Sequence, residues 1–557
     1  MPRLFYRLST IAALFSLLAS LCVAPTQAQR GSDRRFGVIN AFENPAAASA
    51  LGAGWTRIDF YWSAIQPNDS GQWNDAGLEA LVNSEIAAGR EVAGLILHTP
   101  RWALKDGNVA GVPAGLDLPS GDPENVWAVF LRKLVIKYAG RINHWIIWNE
   151  PDIWDNKYPG QMWGGSVNEF LQFQRVAYTV VKSANPNAVV HLAALTFWWD
   201  TVYKRVPFFQ RFLDAMQADP NAAANNYYFD VVTSHQYFRT DIVHDVTAWH
   251  HTVMRAHGFD KPVWLVETNA APSLDPAWPA PGAQFKITLD EQGAFIVQVF
   301  AMGLASGAER IAIYKLADTE TDKVANPEPF GLVKMDGTRR PAFKAFQIAA
   351  TYLAGFLSAR LDRRDDVTQV TVDRGTQTTT VLWSRGPLPQ RVTLLAHASS
   401  ALVVDSRTGA VQRVNASTRR SPSGDGQYTL DLPGAVCTQR EADGACIIGG
   451  WPVLVVEQGG DGATLSIGQS VTLPVATATA APTATQTPMP LPTQTPTTTS
   501  TPTATSTPTV TPSVTLTLTP TPNTAVSAPD FDARSGLIIG GIVLMFLAAF
   551  ALGPRPR

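Results

Sequence analysis

The chain has 557 residues, of which 45% are hydrophobic, 10% aromatic and only 16% charged, with a net charge of −2 and three Cys. That is enough apolar surface for two or three domains, and it excludes a mainly disordered chain. Three Cys exclude a disulfide-dense scaffold, a zinc ribbon and an iron–sulfur protein, and the lack of a basic stripe argues against nucleic acid as a partner. The 16 Trp in so uncharged a chain are compatible with sugar binding, because indole faces pack on the C–H faces of sugar rings, although Trp also fills cores.

Arg3 and Arg7 precede the apolar stretch Ile11–Val23, and Thr26-Gln27-Ala28 ends in a small residue. Residues 1–28 therefore read as a secretory signal, with an uncleaved anchor as the alternative. Leu21 stands where a lipid-modified Cys22 would need a small neighbour.

From residue 36 short apolar runs alternate with longer amphipathic segments. The expected strands are Phe36–Asn40, Trp55–Tyr61, Val92–His98, Asn143–Asn149, Ala188–Leu195, Phe229–His235, Pro262–Glu267 and Arg310–Lys315. Helical patterns lie between them, among them Asp75–Ala88, Pro123–Tyr138, Ser166–Ala184 and Glu291–Ala305. This alternation predicts a (β/α)8 barrel over residues 33–356. A doubly wound open sheet also alternates, but no Gly-rich phosphate loop follows the first strand.

Residues 357–460 change to short alternating runs such as Val367–Val372 and Thr378–Trp383, which predict a small antiparallel β-sandwich domain. Cys437 and Cys446 are the Cys left once a signal is removed, and in an oxidising compartment they are expected to form a local disulfide. Residues 462–529 are Thr, Pro, Ala and Ser without a charge. Such a segment cannot offset its ordering entropy, and it predicts a disordered stalk with a reach on the order of 150 Å, of a composition often O-glycosylated. Gly536–Gly553 is an uncharged apolar run just long enough to span a membrane, and Arg555 and Arg557 follow it. The expected plan is an exported body at the cell surface, held to the plasma membrane by a C-terminal helix.

Barrels carry their chemistry at the C-terminal strand ends. Arg57 lies on the second expected strand, and His98, with Trp102 beyond it, ends the third. Asn149 and Glu150 end the fourth. His235 and Tyr237 end the sixth, Glu267 ends the seventh and Tyr314 lies on the eighth. Glu150 and Glu267 each close a run, HWIIWNE and PVWLVE, that is apolar almost up to the carboxylate. A carboxylate there needs a partner or a function. For one Glu a salt bridge to Arg57 is as good an account as catalysis. Two of them across one barrel mouth match the carboxylate pair that glycoside hydrolysis uses.

The stretches GWTRIDFYWSAIQP, HTPRWA, WNEPD, SHQYF and LVETN, with the exit FGLVKMDGTRRPAFKAF, resemble the retaining glycoside hydrolases of clan A, in particular family 39 and related family 5 enzymes. The resemblance covers residues 36–350 and implies a TIM barrel. It implies Glu150 as acid/base, Glu267 as nucleophile and Asn149 on the sugar 2-OH. Arg57 would keep Glu267 ionised, Tyr237 would orient it, and His98 and His235 would line the subsite of the reacting sugar. It implies an oligo- or polysaccharide substrate, with no cofactor and no metal. Tyr314 stands where the clan often has a Trp, and the loop Ala270–Gln284 fits no motif, so the sugar and linkage do not transfer. Trp102, Trp198 and Trp199 read equally as sugar platforms or rim packing, Trp145 and Trp264 as core, and Asp318 and Asp336 as turn or cap residues. A surface adhesin that only binds carbohydrate is the alternative function.

Overall fold

The computed structural model describes residues 33–107, 110–154, 161–325, 328–417, 426–442, 444–459 and 465–466. Among them, parallel strands close a barrel in chain order: β1 (Phe36–Val38), β2 (Trp55–Tyr61), β3 (Glu91–Leu97), β4 (His144–Asn149), β5 (Val189–Leu195), β6 (Val231–His235), β7 (Val263–Thr268) and β8 (Ala308–Ile313). β8 returns to β1, with Ala312 opposite Gly37. A helix follows each strand: α1 (Pro45–Leu51), α2 (Ala76–Ala87), α3 (Val126–Lys137), α4 (Val167–Ala184), α5 (Phe208–Gln217), α6 (Thr240–Ala256), α7 (Leu289–Ala305) and α8 (Pro341–Leu353). The alternation read from the sequence is thus the architecture. The strand ends differ by at most two residues: His98, Glu150 and Tyr314 lie just beyond β3, β4 and β8, while Glu267 lies inside β7.

Local sequence explains the helix starts. Ser166 and Thr288 cap α4 and α7 through reciprocal capping boxes with Glu169 and Glu291, and Asn44 and Asn125 accept the capping N–H bonds of α1 and α3. α7 is apolar nearly all round, and every residue from Glu291 to Leu304 is buried. A helix of that kind needs cover on two sides, and here the barrel supplies one and the β domain the other.

The N-terminal end of the barrel is filled. Trp264 packs against Trp55 at 5.2 Å between ring centroids and against His144 and His191 at 4.6 Å each. The two imidazoles meet at 3.0 Å, and Glu91 pairs with His144 at 2.9 Å and Arg310 at 3.1 Å. Gly37 makes room for this floor, because a Cβ there would overlap the Trp55 indole.

The second region forms two antiparallel sheets. Among the described residues one has six strands in the order β14 (Val411–Asn415), β13 (Ser400–Asp405), β16 (Val453–Gln458), β11 (Gln377–Ser384), β10 (Val367–Asp373), β9 (Ser358–Arg363), and the other has three in the order β15 (Gln427–Leu432), β12 (Gln390–Leu395), β17 (Leu465–Ser466). The central strands of the larger sheet are buried on both faces. Val367, Leu382 and Val455 face Leu394 and Leu430 of the smaller sheet, while Val370, Val381, Trp383 and Leu454 join the barrel's core. Cys437 and Cys446 form the expected disulfide. The expected signal (1–28), stalk (462–529) and membrane helix (536–553) lie outside the described residues, apart from Leu465 and Ser466, which form β17. No helix among the described residues is long and apolar enough to cross a membrane.

The floor gives a first prediction. Gly37→Ala should lower the stability of the barrel by about 1–3 kcal/mol, the usual cost of overpacking a filled core, when read by urea denaturation of the purified protein. An unchanged midpoint would mean that Trp55 rotates away freely.

Candidate active site

Side chains alternate along a strand, so Arg57 and Asp59 of β2 point to the same side, along with Tyr61. Arg57 donates from Nη1 to Glu267 Oε1 at 2.5 Å and from Nε to Asp59 Oδ1 at 2.9 Å. The Tyr237 hydroxyl donates to the other Glu267 oxygen. His235 Nδ1 lies 2.6 Å from Glu150 Oε1 and 3.4 Å from Glu267 Oε2. One oxygen of each glutamate and a nitrogen of His235 all lie within 4.8 Å of one another. Glu150, Glu267, Arg57 and His235 are all buried.

Two irregularities in sheet register aim these groups. The β6–β7 pairing shifts between Ser234 and His235, which puts His235 opposite Glu267, and the β7–β8 pairing shifts between Leu265 and Thr268. Such bulges turn side chains out of strict alternation.

Burial alone would raise the Glu267 carboxyl, but His235, Arg57 and the Tyr237 hydrogen bond outweigh it and hold it below the ordinary carboxylate range. Asp59 is pushed up, by burial first, with the Glu267 charge adding to it against Arg57. Tyr237 is pushed well up by burial and then by Glu267, so it stays a donor. In spacing, Glu150, His235 and Glu267 would also suit a cation. The Arg57 guanidinium already sits on Glu267 and would repel one, so the cluster is better built for moving protons.

Asn149 is 1% exposed, and neither its amide nitrogen nor its amide oxygen has a hydrogen-bond partner in the protein. Buried amides are almost always paired. Next to Glu150, this one is positioned for a polar ligand. His235 Nε2 is unpaired in the same way.

The other expected residues fall into two groups. Tyr314 is buried beside Tyr237, with 6.2 Å between ring centroids, and burial and then the Glu267 charge push its hydroxyl well up. His98 lies edge-on to Tyr61 at 5.3 Å, and burial lowers its imidazole to about 4, so it is neutral. Trp102 donates its indole N–H to the Gln66 carbonyl at 2.7 Å and meets Trp62 edge-on. His235, expected to line a subsite, is spent at Nδ1 on Glu150. Trp145 and Trp264 are core, Trp199 is buried, and Asp336 serves a turn through Thr338. Asp318 is no turn residue alone: it is buried and pairs with Arg340 at 2.5 Å, and Arg340 also holds Asp275 of the loop after β7 at 2.9 Å.

Some residues of the site were not singled out from the sequence. Asp59 follows Arg57 by two positions, and strand alternation was the available signal. Asn269 donates to the Tyr314 and Phe330 carbonyls at 2.6 and 2.7 Å and so joins the β7 and β8 exits. Buried Lys315 meets Asp322 of its own exit loop at 2.9 Å and Glu43, which only the closed barrel brings to it, at 2.7 Å.

Several strand exits hold non-glycine residues at positive φ: His98 (61°), Trp148 (79°), Glu150 (46°), Phe197 (64°) and Phe238 (64°). Each costs about 1–3 kcal/mol and persists only where the surroundings enforce it. Asp152 enforces two of them. Its Oδ2 accepts from Thr196 N at 2.9 Å, Thr196 Oγ1 at 2.7 Å and Phe197 N at 2.9 Å, tying the turn after Glu150 to the exit of β5. Trp148 is fixed by its indole N–H on the Met162 carbonyl at 2.5 Å and by Trp163 and Phe173 edge-on at 5.5 Å each.

No family model matches the chain, and no curated protein does. Solved structures match it in shape. A family 39 glycoside hydrolase from the gut symbiont Bacteroides cellulosilyticus WH2 aligns with a TM-score of 0.56 at 14% identity, over 77% of this chain and 81% of its own. A family 30 endoxylanase from Clostridium papyrosolvens C71 aligns at 0.50 and 13% identity, over 77% and 97%. A bifunctional glucanase–xylanase from a metagenome library aligns at 0.50 and 12%, over 77% and 97%. The fold is that of these glycoside hydrolases.

Asp152 generates a pH prediction. Burial, then the charge of Asp200, pushes its carboxyl up to about 7, against about 3.9 in an unfolded chain. Between those values the native state binds more protons than the unfolded one, so this group's contribution to stability falls as pH rises from about 4 to 7. Asp152→Asn keeps an acceptor and cannot ionise. Between pH 4.5 and 8 its stability relative to wild type should improve by roughly 2–4 kcal/mol in urea denaturation. A constant difference across that range would show that Asp152 ionises in the fold as freely as in water.

Proposed function

We propose that this protein is a retaining glycoside hydrolase that cleaves β-glycosidic bonds in oligo- or polysaccharides by double displacement. One observation carries the reading: a Glu150 oxygen and a Glu267 oxygen lie within 4.8 Å across one barrel mouth, with Glu267 held as an anion by Arg57 and Tyr237. Retaining enzymes keep their carboxyl groups about 5–5.5 Å apart, and inverting ones about 6.5–9.5 Å, to admit a water. The fold shared with glycoside hydrolases supports the same reading.

In the first step Glu150 gives its proton to the glycosidic oxygen while Glu267 attacks the anomeric carbon. The C–O bond to the leaving sugar breaks, and an ester between Glu267 and the remaining sugar forms. The negative charge of Glu267 is thereby consumed. Glu150, now a carboxylate, takes a proton from water, whose oxygen attacks the same carbon and frees Glu267. His235 steadies Glu150 in both steps, and the unpaired amide of Asn149 is placed to bond the sugar 2-OH, a contact that strengthens as the ring flattens toward an oxocarbenium ion. Export and anchoring at the cell surface belong to the same proposal, supported by the signal-like residues 1–28 and the apolar run 536–553.

Glu267→Gln is nearly isosteric and cannot attack carbon. Turnover of aryl β-glycosides should fall on the order of 10³-fold or more with the fold intact. A variant retaining more than about a tenth of the rate would show that Glu267 is not the nucleophile. Glu150→Ala should lose about 10²- to 10⁴-fold on substrates with poor leaving groups and much less on activated ones, because only the former need the proton. Equal losses on both would count against the acid role. Proton NMR of the first-formed product should show a retained anomeric configuration; inversion would refute the double displacement.

A further inference from the structure

We propose that the disulfide-closed loop between Cys437 and Cys446 is a positioning clamp on the two strand exits that carry Tyr237 and Glu267, so that the β domain takes part in setting the active site. The proposal extends the hydrolase reading above, and its structural half can be tested without it.

The loop is a small hairpin. Glu441 N donates to Ala445 O at 2.7 Å and Ile447 N to Gln439 O at 3.2 Å, and the disulfide closes its base. It grips the barrel at three places. Glu441 forms a two-pronged pair with Arg239, by Nε at 2.7 Å and by Nη2, and Thr240 N donates to Ile447 O at 3.2 Å. Arg239 stands two residues after Tyr237, and its own N–H closes a tight turn on the Tyr237 carbonyl at 2.7 Å. The second grip is on the loop after β7, where Gln439 accepts from Lys286 N at 2.9 Å and donates to Gln284 O at 3.3 Å. The third is on α7: Glu291 spends one oxygen on its own capping box and gives the other to Thr438, from N at 2.9 Å and Oγ1 at 2.7 Å.

The two gripped exits also hold each other. Phe238 stacks on Phe285 at 4.5 Å, and Phe238 N donates to the Asn269 carbonyl, two residues past Glu267, at 3.0 Å. Phe238 sits at a φ of 64°, a conformation that must be imposed from outside. The backbone turn that aims the Tyr237 hydroxyl at Glu267 is thus fixed between the barrel on one side and the hairpin on the other. Gly293 allows the fit, since a Cβ there would overlap the indole of Trp451, which lies against α7 beside the hairpin. Two-pronged Arg–carboxylate pairs fix geometry as well as energy. A misplacement of about 1 Å at a reacting group costs up to about 10²-fold in rate.

The experiment uses the full-length protein and three variants: Glu441→Gln, the charge swap Arg239→Glu with Glu441→Arg, and Cys437→Ser with Cys446→Ser. Hydrogen–deuterium exchange is followed in residues 236–241 and, as a control, in α3. Glu441→Gln and the Cys pair should speed exchange in 236–241 about tenfold while α3 keeps its protection, and the swap should restore it. On an aryl β-glycoside, Glu441→Gln should lower kcat about 5- to 30-fold with KM within about twofold, because the misplaced group is the nucleophile's orienting donor. The acid limb of kcat/KM should move to higher pH, since the Tyr237 bond is one of the contacts that hold Glu267 low. Unchanged exchange in 236–241 would overturn the clamp whatever the kinetics. Faster exchange with an unchanged kcat and acid limb would overturn its effect on the site. Lost protection in α3 as well would mark a general structural role and would also overturn it. If wild-type protein turns over no glycoside, the hydrolase reading fails, and exchange alone decides the clamp.

Discussion

Glu267 is a charged carboxylate in a place nearly closed to water, and it exists there because His235, Arg57 reaching over from β2 and the Tyr237 hydroxyl all bear on it. A lone buried anion would take up a proton instead, and removing one partner of such a pair typically costs about 3–5 kcal/mol. Arg57 is itself pinned by Asp59, so its guanidinium is shared between two carboxylates. His235 faces both glutamates, and Tyr237 closes the last oxygen of Glu267. The remaining geometry serves this arrangement. The register shifts in β6 and β7 bring His235 and Glu267 opposite each other, and the barrel's closure sets β2 facing β7.

Rigidity around that pair comes at a conformational cost. Residues just past β3, β5 and β6, and two at the end of β4, hold backbone conformations that favour glycine, yet none is glycine. The side chains are needed there: Trp148, Phe197 and Phe238 for packing, and Glu150, under the proposed mechanism, for chemistry. Asp152 and the indole bond of Trp148 show how the cost is met, by hydrogen bonds that join one exit to the next. Glu150, Glu267 and their neighbours thus sit in a frame that is already assembled.

How far the sequence could be read depended on whether a residue's partners were near it in the chain. The strands were legible because parallel barrel strands are apolar on both faces and short. The glutamates were legible because each interrupts such a run at its C-terminal end. Strand alternation puts Asp59 on the same side of β2 as Arg57, a local signal. Asn269 and Lys315 were not legible, since their partners Phe330 and Glu43 meet them only after the chain has crossed between exits or closed the circle, and Asp318 finds Arg340 only at the far end of the long loop after β8. His235 was placed at the mouth, but its bond to Glu150 follows from a register shift that no local pattern announces. The loop 270–284 resembled nothing because what orders it, Gln439 and the Arg340–Asp275 pair, lies far along the sequence.

The packed floor of Trp55, His144, His191 and Trp264 leaves the barrel with one door. Under the proposed mechanism, the leaving fragment and the incoming water must use it in turn, since both approach the face guarded by Glu150. Until the first sugar departs, water has no path to the ester on Glu267. Whatever hydroxyl next enters that doorway receives the glycosyl group, and at high sugar concentration that hydroxyl belongs to another sugar. A sealed floor therefore makes the choice between hydrolysis and the building of longer chains a matter of traffic at the mouth rather than of chemistry at the base.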